Sequence, residues 1–104
     1  MRRAIRKIAI PAGYRCYHTK SSRFSDKGWP DEALCNREDP TLILWELKRE
    51  KGTLTPHQEL WGDLLRGRPG IDYRVIRPRD FQYVIARLTA RRPIEWPQAE
   101  RRDA

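Results

Sequence analysis

Apolar side chains in this chain fall into short segments separated by charged and turn-forming residues. Residues 14–19, 31–35, 41–48 and 71–77 are each rich in apolar or β-forming side chains. Short segments bounded by Gly, Pro, Asn or Asp predict four β-strands. Because the turn formers at 36–40 separate the second strand from the third by only a few residues, these two strands are expected to pair as an antiparallel hairpin.

Two later segments have the spacing of amphipathic helices. Thr55 and Pro56 suit the N-cap and the first position of a helix, and residues 67–70, with two glycines, suit its end. Asp80 is expected to cap a last helix. The apolar stripes expected to be buried are Leu60, Trp61, Leu64 and Leu65 on the first helix and Phe81, Val84, Ile85 and Leu88 on the second. The pattern of residues 1–13 is compatible with either a helix or a strand.

Length and charge narrow the class of protein. The 104 residues suffice for one small domain. Lys and Arg number 22 and Asp and Glu 14, so the net charge is +8, which favours polyanionic partners; solubility alone is the alternative explanation. No apolar stretch approaches the roughly 20 residues of a membrane span, and no signal peptide is evident, so a cytoplasmic location is expected. Cys16 and Cys35 lack metal-site spacing and are expected to be reduced structural thiols.

The third predicted strand ends in charged residues, which is unusual because burying charges costs free energy. Side chains alternate along a strand, so Glu46 and Lys48 are expected on the same side of it. In the hairpin the start of one strand lies beside the end of the next, so Asp31, which follows Pro30, should meet Glu46. The pattern therefore predicts two carboxylates and an ammonium group at one end of the sheet.

Such a set of groups suits phosphodiester hydrolysis. Two adjacent carboxylates repel each other unless a divalent cation lies between them, and Mg²⁺ and Mn²⁺ prefer oxygen ligands. Lys48 would orient or help to deprotonate the attacking water and offset charge that grows on the phosphate oxygens. Gln58, near the start of the following helix, is expected to lie close to this site. The alternatives are an ordinary ion pair at the sheet edge and a solvated Gln58.

The motifs along the chain resemble those of a known nuclease family. They are Tyr17-His18-Thr19 before a Ser- and Arg-rich loop, Gly28-Trp29-Pro30-Asp31, Glu46-Leu47-Lys48, Leu54-Thr55-Pro56-His57-Gln58 with Trp61, and residues 75–78 before Asp80. In this order they resemble the VRR-NUC domain, a branch of the PD-(D/E)XK nucleases. The resemblance covers residues 14–88, between a basic lead at 1–13 and a Pro- and Arg-rich tail at 89–104. It implies an α/β, restriction-endonuclease-like fold, with a mixed β-sheet flanked by helices.

The resemblance also implies roles for individual residues. Asp31 and Glu46 would bind Mg²⁺ or Mn²⁺ together with the backbone carbonyl of Leu47. Lys48 would serve the nucleophilic water, and Gln58 would complete the motif.

One departure from the family pattern concerns the metal ligands. Many members of the superfamily carry another acidic ligand on a helix before the first strand. Residues 1–25 contain no Asp or Glu, so this ligand is missing unless Asp26 or another subunit supplies it.

The implied function is that of a stand-alone nuclease of phage or prophage type, which cuts branched DNA such as a four-way (Holliday) junction. Resolving a junction takes two matched cuts, so a homodimer is expected. Trp96, in a Pro-flanked tail with no obvious intrachain partner, favours such association. The residues expected to contact DNA are Lys20, Arg23, Tyr17 and Trp29. The alternatives are a non-catalytic nucleic-acid-binding module and a monomeric nickase or flap nuclease.

Overall fold

The computed structural model describes residues 1–19 and 26–97. These residues form the helices α1 (Arg2–Ala9), α2 (Pro56–Leu65) and α3 (Phe81–Ala90), the strands β1 (Arg15–His18), β2 (Glu32–Cys35), β3 (Leu42–Leu47) and β4 (Ile71–Ile76), and a 3₁₀ turn at Pro78–Asp80. Each strand begins and ends within one residue of the predicted positions. In the basic lead at 1–13, the helix α1 forms rather than a strand. None of the helices in the described residues is long and apolar enough to cross a membrane.

The four strands form one mixed sheet in the order β1-β2-β3-β4. β2 pairs antiparallel with both β1 and β3, whereas β3 and β4 are parallel and are connected through α2. In the predicted hairpin Glu32 lies opposite Trp45 and Leu34 opposite Ile43. Helices α1 and α3 pack on one face of the sheet and α2 packs on the other. The predicted fold class, a mixed sheet flanked by helices, is confirmed.

Alternation along β3 divides the core between the two faces. The larger apolar cluster holds Ile5, Ala9, Tyr14, Leu34, Ile43, Trp45, Ile76, Val84, Leu88 and Trp96. The smaller cluster, on the α2 face, holds Leu44, Leu65, Tyr73 and Val75. Because Glu46 lies two residues after Leu44, its side chain points to the α2 face beside the smaller cluster.

The predicted apolar stripes are wrong at three positions. Leu60 and Leu64 on α2 are 58% and 47% exposed, and Ile85 on α3 is 44% exposed. α2 packs instead through Gly62, where an added Cβ would lie 2.9 Å from the Tyr73 hydroxyl oxygen. Because the side of α2 that carries Gly62 and Leu65 faces the sheet, Leu60 and Leu64 remain at the surface.

The inference that Trp96 lacks an intrachain partner is also wrong. The residue is 8% exposed, its ring stacks on Tyr83 at 5.6 Å, and it meets Trp45 edge-on at 5.8 Å. The Arg74 guanidinium lies 4.3 Å from the ring centroid, and it also donates to the Ile94 carbonyl at 3.3 Å. The segment after α3 therefore returns to the core, and Trp96 provides no support for a dimer.

A buried polar network on the α1/α3 face was not apparent from the sequence. The fully buried Arg87 donates to Asp72 at 2.6 Å, to Asp39 at 2.7 Å and to the Thr41 hydroxyl at 2.7 Å. The Tyr14 hydroxyl also donates to Asp39. Although burial raises it, hydrogen bonds from Arg87, Tyr14 and Thr41 lower the pKa of Asp39 to about 2. The network links α3 to β4 and to the turn before β3.

Candidate active site

Asp31 and Glu46 lie at one end of the sheet, as the hairpin pattern predicts. Asp31 directly precedes β2, and its Oδ2 accepts a hydrogen bond of 2.8 Å from the Leu47 N–H. This bond holds the Asp31 carboxylate against the end of β3. The preceding Pro30 is buried, and its carbonyl accepts a hydrogen bond of 2.7 Å from the Thr19 hydroxyl. The backbone is thus anchored on the residue before the carboxylate.

The Glu46 carboxyl group is buried, with 2% of the residue exposed. Its Oε2 accepts a hydrogen bond of 2.9 Å from Gln58 Nε2, whereas Oε1 has no hydrogen-bond partner among the described residues. Burial and then the neighbouring Asp31 carboxylate raise the pKa of Glu46 to about 8, and the charge of Lys48 partly offsets them. Gln58 therefore holds one carboxyl oxygen in place, and no hydrogen bond within the described part of the chain holds the other.

Replacing Glu46 with Gln should stabilise the metal-free protein at pH 9 but not at pH 5. The folded state binds a proton at Glu46 more tightly than the unfolded state does. The contribution of this proton to the free energy of unfolding is complete below the ordinary pKa of 4.5 and is lost as the pH rises to about 8. The Gln amide stays neutral and can still accept the Gln58 bond. Thermal melts in EDTA from pH 5 to pH 9 should show a gain in Tm that grows with pH. A gain that does not change with pH would contradict this account of Glu46.

Gln58 orients Glu46 from the first turn of α2. Thr55 is the N-cap of this helix: its Oγ1 accepts the Gln58 N–H at 3.2 Å, and Gln58 Oε1 accepts the Thr55 N–H at 2.9 Å. This capping box leaves Gln58 Nε2 to donate to Glu46. The Thr-x-x-Gln spacing is a signal for the box in the sequence. The bond to Glu46 has no such signal, because it depends on how α2 lies on the sheet.

Lys48 is the first residue after β3 and is half-buried. Its N–H donates to the Ile76 carbonyl at 2.9 Å, which extends the pairing of β3 with β4. The buried Arg77 guanidinium donates to the carbonyls of Arg49 and Glu50, and so holds the turn directly after Lys48. The sequence pattern did not identify Arg77, because its partners are backbone carbonyls 28 and 27 residues away.

Gly28 allows the segment before Asp31 to contact the start of α2. Its φ is +83°, and an added Cβ would lie 2.4 Å from the carbonyl carbon of His57 and 2.6 Å from the backbone nitrogen of Gln58. No side chain fits at this distance from the backbone. The glycine therefore brings the Asp31 segment and Gln58 together.

Gly28→Ala should disturb the site, and Gly67→Ala is its matched control. Gly67 has a similar φ of +82°, but no described atom lies within 4 Å of an added Cβ. Gly67→Ala should lower the free energy of unfolding by about 1 kcal/mol through backbone strain alone. Gly28→Ala adds a backbone clash, so it should lower the free energy of unfolding, measured with urea, by at least about twice as much as Gly67→Ala does. Equal losses would show that the contact with His57 is unimportant.

The donor set at this end of the sheet fits a hard cation. The carboxyl groups of Asp31 and Glu46 offer oxygen ligands, and Glu46 Oε1, which accepts no hydrogen bond from the described residues, is the natural ligand atom. The backbone carbonyl of Leu47 stays a predicted ligand. Residues 1–19 and 26–97 contain no group of three His, Cys, Asp or Glu side chains that could hold a metal ion. A cation bound by Asp31 and Glu46 would therefore complete its shell with backbone, water and substrate oxygens.

Helix α1 brings arginines to the sheet in place of an acidic ligand. Arg2 Nε lies 3.0 Å from Glu32 Oε2, and Arg6 Nε lies 3.2 Å from Glu32 Oε1. Glu32 is 1% exposed and, by alternation along the chain, points to the opposite face from Asp31. Glu32 therefore cannot take the place of the acidic ligand that this helix lacks.

The four residues expected to contact DNA have different surroundings. Tyr17, on the edge strand β1, is 63% exposed. Trp29 is half-buried and meets Trp61 edge-on at 4.8 Å in the smaller apolar cluster. Lys20 and Arg23 lie outside the described residues. Of this set, Tyr17 is the side chain that the structure places at the surface.

The chain is similar in structure to Hjc, a Holliday junction resolvase from the archaeal hyperthermophile Archaeoglobus fulgidus. The sequences are 22% identical, the TM-score is 0.47, and the match covers 74% of this chain and 65% of that chain. No protein-family model matches the sequence, and no curated protein matches it significantly. At this level of similarity the likeness assigns no role to any residue, so the candidate site rests on the contacts described above.

Proposed function

We propose that this protein is a Mg²⁺- or Mn²⁺-dependent DNA endonuclease of the VRR-NUC type. The observation that carries the proposal is the buried Glu46 carboxyl group beside Asp31: Gln58 donates to one of its oxygens, and the other has no hydrogen-bond partner in residues 1–19 and 26–97. Buried carboxyl groups in purely structural roles normally have a partner for each oxygen. A cation between the two carboxylates would give this second oxygen a partner and would offset their mutual repulsion.

The chain's own residues then act on the substrate as follows. Asp31 and Glu46 would hold the cation, and Gln58 keeps the Glu46 carboxylate in its orientation. Lys48 orients the attacking water and offsets negative charge on the phosphate oxygens as the phosphorus–oxygen bond breaks. When bound, the divalent ion would polarise the phosphate and lower the pKa of a water molecule.

Gln58→Ala should slow cleavage by roughly tenfold at saturating DNA, because the carboxylate of Glu46 loses its orienting donor. Thr55→Ala is the matched control, since it removes the helix cap and leaves the bond from Gln58 to Glu46. Thr55→Ala should cost about 1 kcal/mol of stability with little change in turnover. Single-turnover rates and urea unfolding of both variants measure the two effects. Equal losses of rate would reduce Gln58 to a capping residue.

The proposed substrate is branched DNA, and the proposed active form is a homodimer. Each chain has one candidate site, whereas resolving a junction takes two matched cuts, and a twofold dimer matches the symmetry of that substrate. The net charge of +8 suits contact with several DNA arms. The alternatives are a monomeric nickase or flap nuclease and a non-catalytic binding module.

Incubation with linear, flapped and four-way DNA separates these possibilities. Each substrate is tested with Mg²⁺, with Mn²⁺ and with EDTA, and light scattering at micromolar concentration reports the oligomeric state. Metal-dependent paired cuts by a dimer are the expected result. Single nicks by a monomer would favour the nickase, and DNA binding without cleavage in either metal would favour the binding module.

A further inference from the structure

Among residues 1–19 and 26–97, α2 covers only half of its face of the sheet, and the other half is open. α2 packs against β3 and β4, whereas Arg15, Tyr17 and Cys35 on β1 and β2 are exposed on that face. Arg15 lies opposite Cys35, and Tyr17 lies opposite Ala33. Asp31 lies at one end of this surface and is the only acidic residue that these two strands and their first flanking residues place on it. The open half of the sheet therefore leads away from the candidate metal ligand without meeting another carboxylate.

A basic cleft lies at the other end of these two strands. It has a volume of about 690 Å³, and its charged lining consists of Arg15, Arg37, Glu38 and Arg91. Arg15 and Arg37 form no ion pair with any of the described residues. Glu38 is itself 70% exposed, 3.5 Å from Arg91 Nη1. Three guanidinium groups from β1, the β2–β3 turn and the end of α3 thus face one solvated carboxylate.

Arg91 is held in an unusual backbone conformation at the edge of the cleft. It follows α3 with φ +58° and ψ +35°, the left-handed position at which helices commonly carry glycine. Its Nε donates to the Ala12 carbonyl at 2.9 Å. An arginine at this position costs backbone strain but places a fixed guanidinium group in the cleft.

We propose that Arg15, Arg37 and Arg91 bind the phosphate backbone of double-stranded DNA that lies along the open half of the sheet, from Asp31 to the cleft. Cys35 lies four residues after Asp31 along an extended chain, a distance of about 13 Å. Each strand of the duplex carries one phosphate for every 3.4 Å or so of helix axis, so on a duplex lying along the sheet the cleft engages phosphates about four nucleotides from the scissile bond. Tyr17 lies between the two ends. This inference rests on the proposed nuclease function and names the path of its substrate.

The double variant Arg15→Gln/Arg37→Gln tests this path. In EDTA, where no cleavage occurs, its affinity for a labelled 24-base-pair duplex should fall roughly tenfold, and the slope of log affinity against log salt should decrease by about two. Arg3→Gln/Lys7→Gln is the control, since it removes the same charge from exposed positions on α1. Its affinity should stay within about twofold of the wild type. Equal losses in the two variants, or no loss in the first, would overturn the proposal.

Cys35 provides a second readout that does not depend on cleavage. It is an exposed free thiol in the wall of the cleft, so bound DNA should slow its alkylation by iodoacetamide several-fold, measured by mass spectrometry of the Cys35 peptide. Inorganic phosphate at the same phosphate concentration should not slow the alkylation of Cys35. Equal protection by phosphate would indicate a free-anion site and overturn the DNA path, as would no protection by DNA. If wild type cuts DNA in Mg²⁺ while Cys35 stays unprotected, this inference fails and the proposed function stands.

Discussion

Asp31→Asn and Glu46→Gln should each reduce DNA cleavage by roughly a thousandfold or more, because each removes a charge from the proposed cation site at the point where transition-state charge develops. Both changes preserve shape. Asn can still accept the Leu47 N–H, and Gln can still accept the amide of Gln58. Folding and DNA binding in EDTA should therefore be retained. Single-turnover cleavage with each metal and anisotropy without metal separate the two properties.

Glu32→Gln is the matched control for these variants. Glu32 is buried and adjacent to Asp31, but its carboxylate faces Arg2 and Arg6 on the opposite side of the sheet. Its replacement should leave cleavage within about threefold of the wild type, since it removes no donor from the cation site. A near-normal rate in Asp31→Asn or Glu46→Gln in the same metal would place the active site elsewhere.

Arg87→Met should lower the free energy of unfolding by about 3–5 kcal/mol, because it leaves the Asp39 carboxylate buried without a cation and leaves Asp72 paired with Arg74 alone. Urea unfolding at pH 7 measures this loss. Arg79→Met is the matched control: the pair of Arg79 with Glu50 spans 2.9 Å but is about half exposed on both sides. Its loss should be below about 1 kcal/mol. Similar losses in the two variants would show that burial does not decide the effect.

The cost of Arg87→Met should decrease in acid. The pKa of Asp39 is lowered to about 2 in the folded protein, so its contribution is complete above the ordinary value of 3.8 and is lost as the pH falls towards 2. Protonation of Asp39 removes the buried charge that Arg87 neutralises. If Arg87→Met does not fold at pH 7, unfolding of Arg87→Lys and Asp39→Asn provides the same comparison, since each weakens one side of the ion pair.

Local sequence signals were enough to predict the helices and strands of this protein and the end of the sheet at which its charged residues meet. The turn formers at 36–40 specify a hairpin, and strand alternation within it places Asp31 beside Glu46. Thr55 and Pro56 specify the start of α2. These signals are readable because they are local: turn chemistry, helix capping and the two-residue period of a strand depend on neighbours in the chain.

Packing of the whole chain sets which side of each helix faces the sheet and which distant residues meet. Gly62 turns α2 so that Leu60 and Leu64 stay exposed, and Trp96 returns to the core. The buried contacts of Arg87 cross 15 to 48 residues of chain, and the bond from Gln58 to Glu46 forms only because α2 lies where Gly28 lets the backbones touch. Periodicity reports that a helix has an apolar side, but the area buried depends on the shape of the surface it meets. That shape is a property of the assembled chain, because it is built from several segments at once.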